Sequence, residues 1–405
     1  MAVPKLRFPE FTDDWEQRKL GDLYTERNER GNGSLQILSV SIHTGVSDGE
    51  LDVDNLGKFV RRSEDKSTYK HVHSGDLIFN MMRAWQGAIG VAKTEGMISP
   101  AYISAIPSED IYPPFMNYLL RRKDVINQIN NLSYGVTDFR KRLYWNSFVQ
   151  VNCKLPSVEE QRNITDVFEK IDHLITLHQR KLDDIKLLKK SMLQKMFPAE
   201  GRDVPEVRFP GFTAAWEQRK LSQIYSTIRN AFVGTATPYY VDDGHFYLES
   251  NNVKDGQINH NTEVFINDEF YKKQKGKWLH TGDLVMVQSG HVGHTAVIPP
   301  ELDNTAAHAL IMFQHPKQEI EPYFLNYELQ TLSAKKKIAD ITTGNTIKHI
   351  LASEMQEFVM DLPSILEQRR IAAFFRQIDN TITLHQRKCD DLQKLKKALL
   401  QQMFC

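Results

Sequence analysis

Residues 155–197 read LPSVEEQRNITDVFEKIDHLITLHQRKLDDIKLLKKSMLQKMF, and residues 362–404 read LPSILEQRRIAAFFRQIDNTITLHQRKCDDLQKLKKALLQQMF, with 26 of 43 positions identical. Apolar side chains fall at Ile164, Phe168, Ile171, Ile175, Leu182, Ile185, Met192 and Met196. They return at Ile371, Phe375, Ile378, Ile382, Cys389, Leu392, Leu399 and Met403. Steps that alternate four and three draw one apolar seam along a helix. Ser157-x-x-Glu160 and Ser364-x-x-Glu367 read as capping boxes at the starts. Both stretches close on Met-Phe, and Pro198 stops the first. At 1.5 Å per residue, roughly 40 residues make a rod of about 60 Å. Two rods of equal length with matched seams predict an antiparallel coiled coil with a pseudo-two-fold axis. His178 and His385 interrupt the seam near each midpoint, where an antiparallel pair brings them together. A polar register pin is the first reading of these histidines, ahead of a metal or pH switch.

Working outward, a second pair of stretches matches. Residues 3–24 (VPKLRFPEFTDDWEQRKLGDLY) and 204–225 (VPEVRFPGFTAAWEQRKLSQIY) share 14 of 22 positions. The repeat is domain-sized, far longer than the ~20–50 residues of a solenoid unit. It divides the chain into a globule over 1–154, a long helix over 155–200, a second globule over 201–361 and a closing helix over 362–405. Between the matched blocks the halves diverge. VHSGDLIFNMM (72–82) and LHTGDLVMVQS (279–289) each place Gly-Asp before an apolar, β-prone run. FMNYLL (115–120) and FLNYEL (324–329) each follow a proline, as a helix start does. The expected fold is mixed α/β (α+β): two similar globules joined by two long antiparallel helices. Trp15–Leu20 and Trp216–Leu221 are alike in both halves, which makes them frame.

The 405 residues, 41% hydrophobic and 25% charged, describe an ordinary globular chain with zero formal net charge. No apolar run approaches the ~18–20 residues that span a bilayer, and MAVPKLRFPE lacks the features of a signal peptide. Cys153, Cys389 and Cys405 have no metal or redox spacing and suit a reducing cytoplasm. No phosphate loop, dinucleotide fingerprint, H-E-x-x-H or G-x-S-x-G is present. Tyr112-Pro113-Pro114-Phe115 is similar to the [NDS]-P-P-[YF] loop of amino-methyltransferases, but Tyr112 cannot take the part of Asn, Asp or Ser. Glu321-Pro322-Tyr323-Phe324 stands in the same place, and both read as helix entrances. The expectation is therefore no catalytic residue, no bound cofactor and no metal site.

Assembled, the duplicated W-E-Q-R-K-L, the duplicated L-P-S-x-x-E-Q-R-x-I, the I-D-x-x-I-T-L-H-Q-R-K centres and the two divergent regions resemble the specificity subunits of type I restriction–modification systems. The resemblance spans essentially the whole chain. It implies two target-recognition domains, each reading one half of a split, non-palindromic duplex DNA sequence, with the helices setting the gap. It further implies docking of two methyltransferase subunits and two restriction–translocase subunits. S-adenosylmethionine, ATP and Mg2+ are then bound by those partners, and the assembly is cytoplasmic, bacterial and nucleoid-associated on DNA. Readings outside this family are a stand-alone methyltransferase or restriction enzyme, and a non-catalytic scaffold.

Base readout favours Arg, Lys, Asn and Gln in loops or at element ends. Two loop pairs fit. After the Gly-Asp strand, Asn80, Arg83 and Gln86 in the first half face Gln288, Ser289 and His291 in the second. Before the closing strand, Tyr134, Arg140, Lys141 and Arg142 correspond to Asn345, Thr346 and Lys348. Lys335-Lys336-Lys337 suits phosphate or solvent. Gln179-Arg180-Lys181 and Gln386-Arg387-Lys388, alike in both helices, suit exposed charge, partner docking or the DNA backbone.

Overall fold

The computed structural model describes residues 3–31, 34–43, 45–47, 68–135, 137, 140–344 and 348–405. The chain forms two compact units, one of Met1–His178 with Lys388–Cys405 and one of Gln179–Arg387. The boundary thus falls inside both long helices, the central one over Val158–Lys195 and the terminal one over Ile365–Gln402. The segments predicted from sequence cut the chain by its internal repeat, whereas packing groups each globule with part of both helices.

The first unit contains, in order, β1 (Glu16–Lys19), α1 (Leu20–Leu23), β2 (Tyr24–Arg27), β3 (Val40–Ser41), β4 (Gly45–Val46), β5 (Lys70–Val72), β6 (Leu77–Asn80), β7 (Ile89–Val91), β8 (Gly96–Ile98), β9 (Tyr102–Pro107), α2 (Pro113–Leu119), α3 (Lys123–Leu132), α4 (Trp145–Phe148) and β10 (Asn152–Leu155). An antiparallel sheet of order β2-β9-β6-β7 is its centre. The strand β6 is buried along its whole length, as its apolar LIF run requires. The turn ahead of it explains the repeated His-x-Gly-Asp. Gly75 takes φ +93°, open to glycine alone without strain, and the Asp76 carboxylate accepts from the His73 amide at 2.9 Å. Gly282 (φ +88°) and Asp283, accepting from His280, rebuild it in the second unit.

The second unit contains β11 (Glu217–Lys220), α5 (Leu221–Ile224), β12 (Tyr225–Asn230), β13 (Tyr240–Val241), β14 (His245–Leu248), β15 (Val253–Lys254), β16 (Gln257–Ile258), β17 (Phe265–Ile266), α6 (Asp268–Lys273), β18 (Leu284–Val287), β19 (Thr295–Val297), β20 (Ala306–Ala307), β21 (Leu310–Pro316), α7 (Pro322–Glu328), α8 (Leu332–Ile341), α9 (Ala352–Glu357) and β22 (Val359–Leu362). Its sheet β12-β21-β18-β19 has the order of the first, and a further sheet, β13-β17-β14-β20, is its own addition. Pro113 and Pro322 open α2 and α7, so the Tyr-Pro-Pro-Phe segment is a helix entrance.

The repeated Glu-Gln-Arg-Lys is a strand in both units, in one register: Glu16 opposite Leu155, Glu217 opposite Leu362. It clips the leading segment to the start of each long helix. There the Ser halves of the expected capping boxes form, since the Glu160 and Glu367 amides donate to Ser157 and Ser364 Oγ. The Glu halves do not. Each carboxylate instead takes a bidentate arginine, Arg7 on Glu160 (2.8 and 2.8 Å) and Arg208 on Glu367 (2.6 and 2.7 Å). A charged, forked donor outcompetes a single backbone amide for a buried carboxylate.

The seam faces inward in both units. Ile164, Phe168, Ile171, Leu182, Met196, Ile371, Phe375, Ile378, Cys389, Leu392 and Met403 are buried, and Ile175, His178, Ile185, Met192, Ile382, His385 and Leu399 are half-buried. Within each unit the helices run antiparallel. In the first, Phe404 from the terminal helix lies 5.9 Å from Phe168 of the central helix, and packs on Trp15 and Phe115. In the second, Phe197 at the end of the central helix lies 6.0 Å from Phe375, and packs on Trp216 and Phe324. Each half of the sequence therefore supplies the closing phenylalanine of the other half's core. A polar contact repeats the exchange. Asp172 accepts from Tyr118 (3.0 Å) and Lys396 (2.5 Å), and Asp379 from Tyr327 (2.7 Å) and Lys189 (2.7 Å).

Candidate nucleic-acid interface

Both loop pairs singled out in the sequence come together, separately in each unit. In the first, β6 ends at Asn80 and the chain turns through a single 3-10 turn at Ala84–Gln86. The hairpin of Tyr134 and Arg142, which exchange amide bonds at 3.2 and 3.0 Å, lies against it. The Leu143 amide donates to the Met81 carbonyl at 2.8 Å and holds the two together. In the second unit, the Ile350 amide donates to Gln288 O at 3.1 Å, the equivalent bond 207 residues on. Ser289 bridges to His349, and the Gly290 amide donates to Lys348 O at 3.2 Å.

The named side chains then divide. Arg83, Gln86, Arg140 and Arg142 are exposed, and Lys141 is half-buried. Tyr134 is 59% exposed and stacks on Tyr144 at 4.9 Å. Asn80 is buried, and its Oδ1 accepts from the Met82 amide, so it shapes the loop. Trp85 does likewise, its indole donating to Met82 O at 3.0 Å. In the second unit His291 and Lys348 are exposed, while Gln288 and Ser289 are half-buried. Asn345 and Thr346 lie outside the described residues. The two loops of the first unit thus expose four nitrogen-rich or cationic side chains, Arg83, Gln86, Arg140 and Arg142, to meet a ligand edge-on.

A third element was not singled out from the sequence. The hairpin β15–β16 turns on Asp255 (φ 52°) and Gly256 (φ 85°), a pair of left-handed residues typical of Asp-Gly turns. Its Asp255 amide donates to His294 Nδ1 at 3.3 Å, which sets Lys254 beside the 288–294 loop. Burial holds the His294 imidazole below its ordinary value, and the cations Lys335, His291 and Lys254 reinforce this against Asp255. Lys254, Lys335 and Lys348 thus gather around this loop, beside Asp255. In the first unit β3–β4 takes the corresponding place, with Arg121 donating to Ile42 O at 3.1 Å and to His43 O. The Asp-Gly dipeptide was the available signal. Among the described residues no helix is long and apolar enough to cross a membrane.

The family model described as type I restriction modification DNA specificity domain matches residues 216–394. Two relatives from Methanocaldococcus jannaschii align along nearly the full chain. The type I restriction enzyme MjaVIII specificity subunit is 21% identical, over 98% of this chain and 92% of that protein. The putative type I restriction enzyme MjaX specificity subunit is 22% identical, over 98% and 94%. The crystal structure of a type I restriction–modification system S subunit from M. genitalium superposes with a TM-score of 0.64, at 11% identity over 100% of this chain and 99% of that one. A chain from a study of complex assembly and conformational transition of the type I R-M system gives 0.53, at 20% identity over 95% and 96%. These two structures carry the same fold. The matched domain covers the second half, and the internal repeat extends its frame to the first. Residues 216–394 thus match the type I restriction modification DNA specificity domain, and the chain as a whole is similar in sequence and in fold to specificity subunits of type I restriction–modification systems.

Proposed function

We propose that this chain is the DNA sequence-recognition subunit of a type I restriction–modification complex, with one globule for each half of a bipartite, non-palindromic target. One observation carries the reading: the same frame positions the same two loops in both units, and the loop residues differ. Unlike readers on like scaffolds are what a split, asymmetric target demands. Exposed Arg83, Gln86, Arg140 and Arg142 in one unit, and His291 and Lys348 in the other, have the donor chemistry that reads base edges in the major groove. Lys254 and Lys335 suit phosphate contacts that set register.

In this reading the long helices set the gap between half-sites and dock two methyltransferase subunits, and two restriction–translocase subunits join them. S-adenosylmethionine, ATP and Mg2+ act on those subunits, and the chain works in the cytoplasm. Methylome sequencing of a host carrying the partner methyltransferase, with and without this gene, tests the proposal. A split adenine-methylated motif that depends on the gene supports it. No gene-dependent motif, despite assembly with the methyltransferase, overturns it in favour of a scaffold.

A further inference from the structure

Apart from the reader loops, the first unit gathers nitrogen and oxygen ligands at one surface point. His71 and His73 alternate on and just beyond β5, which puts both imidazoles on one face. Glu29, after β2, and Glu95, before β8, are brought to that face. Glu29 Oε1 lies 2.7 Å from His71 Nδ1, and Glu29 Oε2 lies 2.9 Å from His73 Nε2. Glu95 Oε1 lies 2.8 Å from His71 Nε2 and 3.8 Å from His73 Nδ1. The two rings are 4.3 Å apart. One ligand atom each from Glu29, His71 and His73 fall within 4.8 Å of one another. Arg27 also bonds Glu29, at 3.2 Å, and its fork is already committed to Asp76 at 2.6 and 3.0 Å.

The second unit shows that the fold does not need this cluster. It keeps the turn, with His280 and Asp283 where His73 and Asp76 stand. It has Trp278 in place of His71 and Asn230 in place of Glu29. The additional donors of the first unit therefore serve something other than the shared turn.

We propose that Glu29, His71 and His73, with Glu95 alongside, form a binding site for a divalent transition-metal ion of the zinc type. Two imidazole nitrogens and carboxylate oxygens are a borderline-soft set that suits zinc and disfavours magnesium and calcium. The ion takes the place of the protons that bridge imidazole and carboxylate, and those protons leave to solvent. Zinc bonds of about 2.0 Å in a tetrahedron separate ligand atoms by about 3.3 Å. Glu29 and one nitrogen from each imidazole, now within 4.8 Å of one another, close onto such an ion, while Glu95, on the opposite ring nitrogens, orients the rings. Such an ion ties together segments far apart in sequence and so acts as a staple for the first unit.

The test uses the full chain, stripped with a chelator and dialysed, then titrated with zinc by calorimetry and with cobalt(II) as an optical probe. One equivalent bound per chain, with visible bands of tetrahedral cobalt and a raised melting temperature, is the expected result. His71→Ala/His73→Ala abolishes binding, and Glu29→Gln weakens it by about tenfold or more. Circular dichroism establishes that each variant is folded, and Glu29→Gln carries the test if the double variant is not. Absence of zinc uptake by the folded wild-type chain overturns the proposal, as does undiminished uptake by a folded variant, or magnesium binding as tight as zinc. None of these outcomes depends on DNA recognition.

Discussion

Glu328 marks a frame position at which the two units differ in chemistry. Its counterpart in the repeat is Leu119. The Glu328 side chain is buried, one oxygen accepts from the Asp361 amide at 2.7 Å, and the other has no partner. Burial raises its pKa well above the ordinary carboxyl value, so the protonated form is the one that fits. A raised folded-state value contributes stability below the unfolded carboxyl range and loses it as pH climbs through the raised value. Glu328→Gln, permanently neutral, is therefore expected to gain melting temperature on wild type between about pH 5 and pH 8. A gap that stays constant across those melts contradicts the assignment. If the proposed surface reads DNA, Arg83→Ala is expected to relax specificity at one half-site, by about 1–3 kcal/mol in discrimination. Competition binding against single-base variants measures it, and an equal loss on every sequence reassigns Arg83 to phosphate. The residue scale is where the sequence was least legible. Asn80 and Arg83 are both polar loop residues within four positions, yet one is buried against Met82 and the other exposed. The Glu29–His71–His73–Glu95 cluster left no spacing to read beyond an H-x-H, because its members come from three separate segments.

The long helices were the most legible elements, since a seam sustained over many turns has only one periodic explanation. Their starts were half legible. Ser157 and Ser364 cap as expected, but Arg7 and Arg208, some 150 residues earlier in the chain, claim the glutamates. A local motif cannot announce a distant competitor. The short strands were less legible still, because two-residue pairs such as β15–β16 carry almost no period. Between the helices, the Tyr–Asp–Lys contacts are alike in geometry and unlike in burial. Lys189 and Asp379 are both nearly buried, at 13% and 10% side-chain exposure, whereas Lys396 and Asp172 stand at 28% and 38%. Removing one partner of a buried pair strands the other charge. Asp379→Ala is thus expected to destabilise the second unit by about 3 kcal/mol or more. Asp172→Ala is expected to cost the first unit ~1 kcal/mol or less. Hydrogen exchange within each unit separates the two, and equal losses contradict the burial argument.

For the whole molecule, the exchange of helix ends reassigns the effects of mutations. Phe404 lies in the second half of the sequence and in the core of the first unit. Phe197 lies in the first half and in the core of the second unit. Phe404→Ala should cost about 3–5 kcal/mol, felt as lost exchange protection in residues 3–178, and Phe197→Ala the same in residues 201–387. Loss of protection confined to each residue's own half of the sequence contradicts the exchange. The repeat made the two-globule plan and its paired helices readable, but not which globule each helix end completes, because the two seams and both Met-Phe endings are nearly interchangeable.

The Leu6 amide donates to Gln402 O at 2.9 Å, and the Val207 amide to Lys195 O at 2.8 Å, one junction built twice. In the second unit the chain runs on through exposed Ala199, Glu200 and Gly201, and in both units packing and a hydrogen bond hold the junction. The junction is therefore expected to survive a cut in the exposed link at 199–201. A protease cut there, or separate synthesis of residues 1–200 and 201–405, is expected to leave two fragments that co-purify, with a melting temperature that now rises with concentration. Each fragment carries part of both cores, so neither half of this gene encodes a globule that is complete without the other.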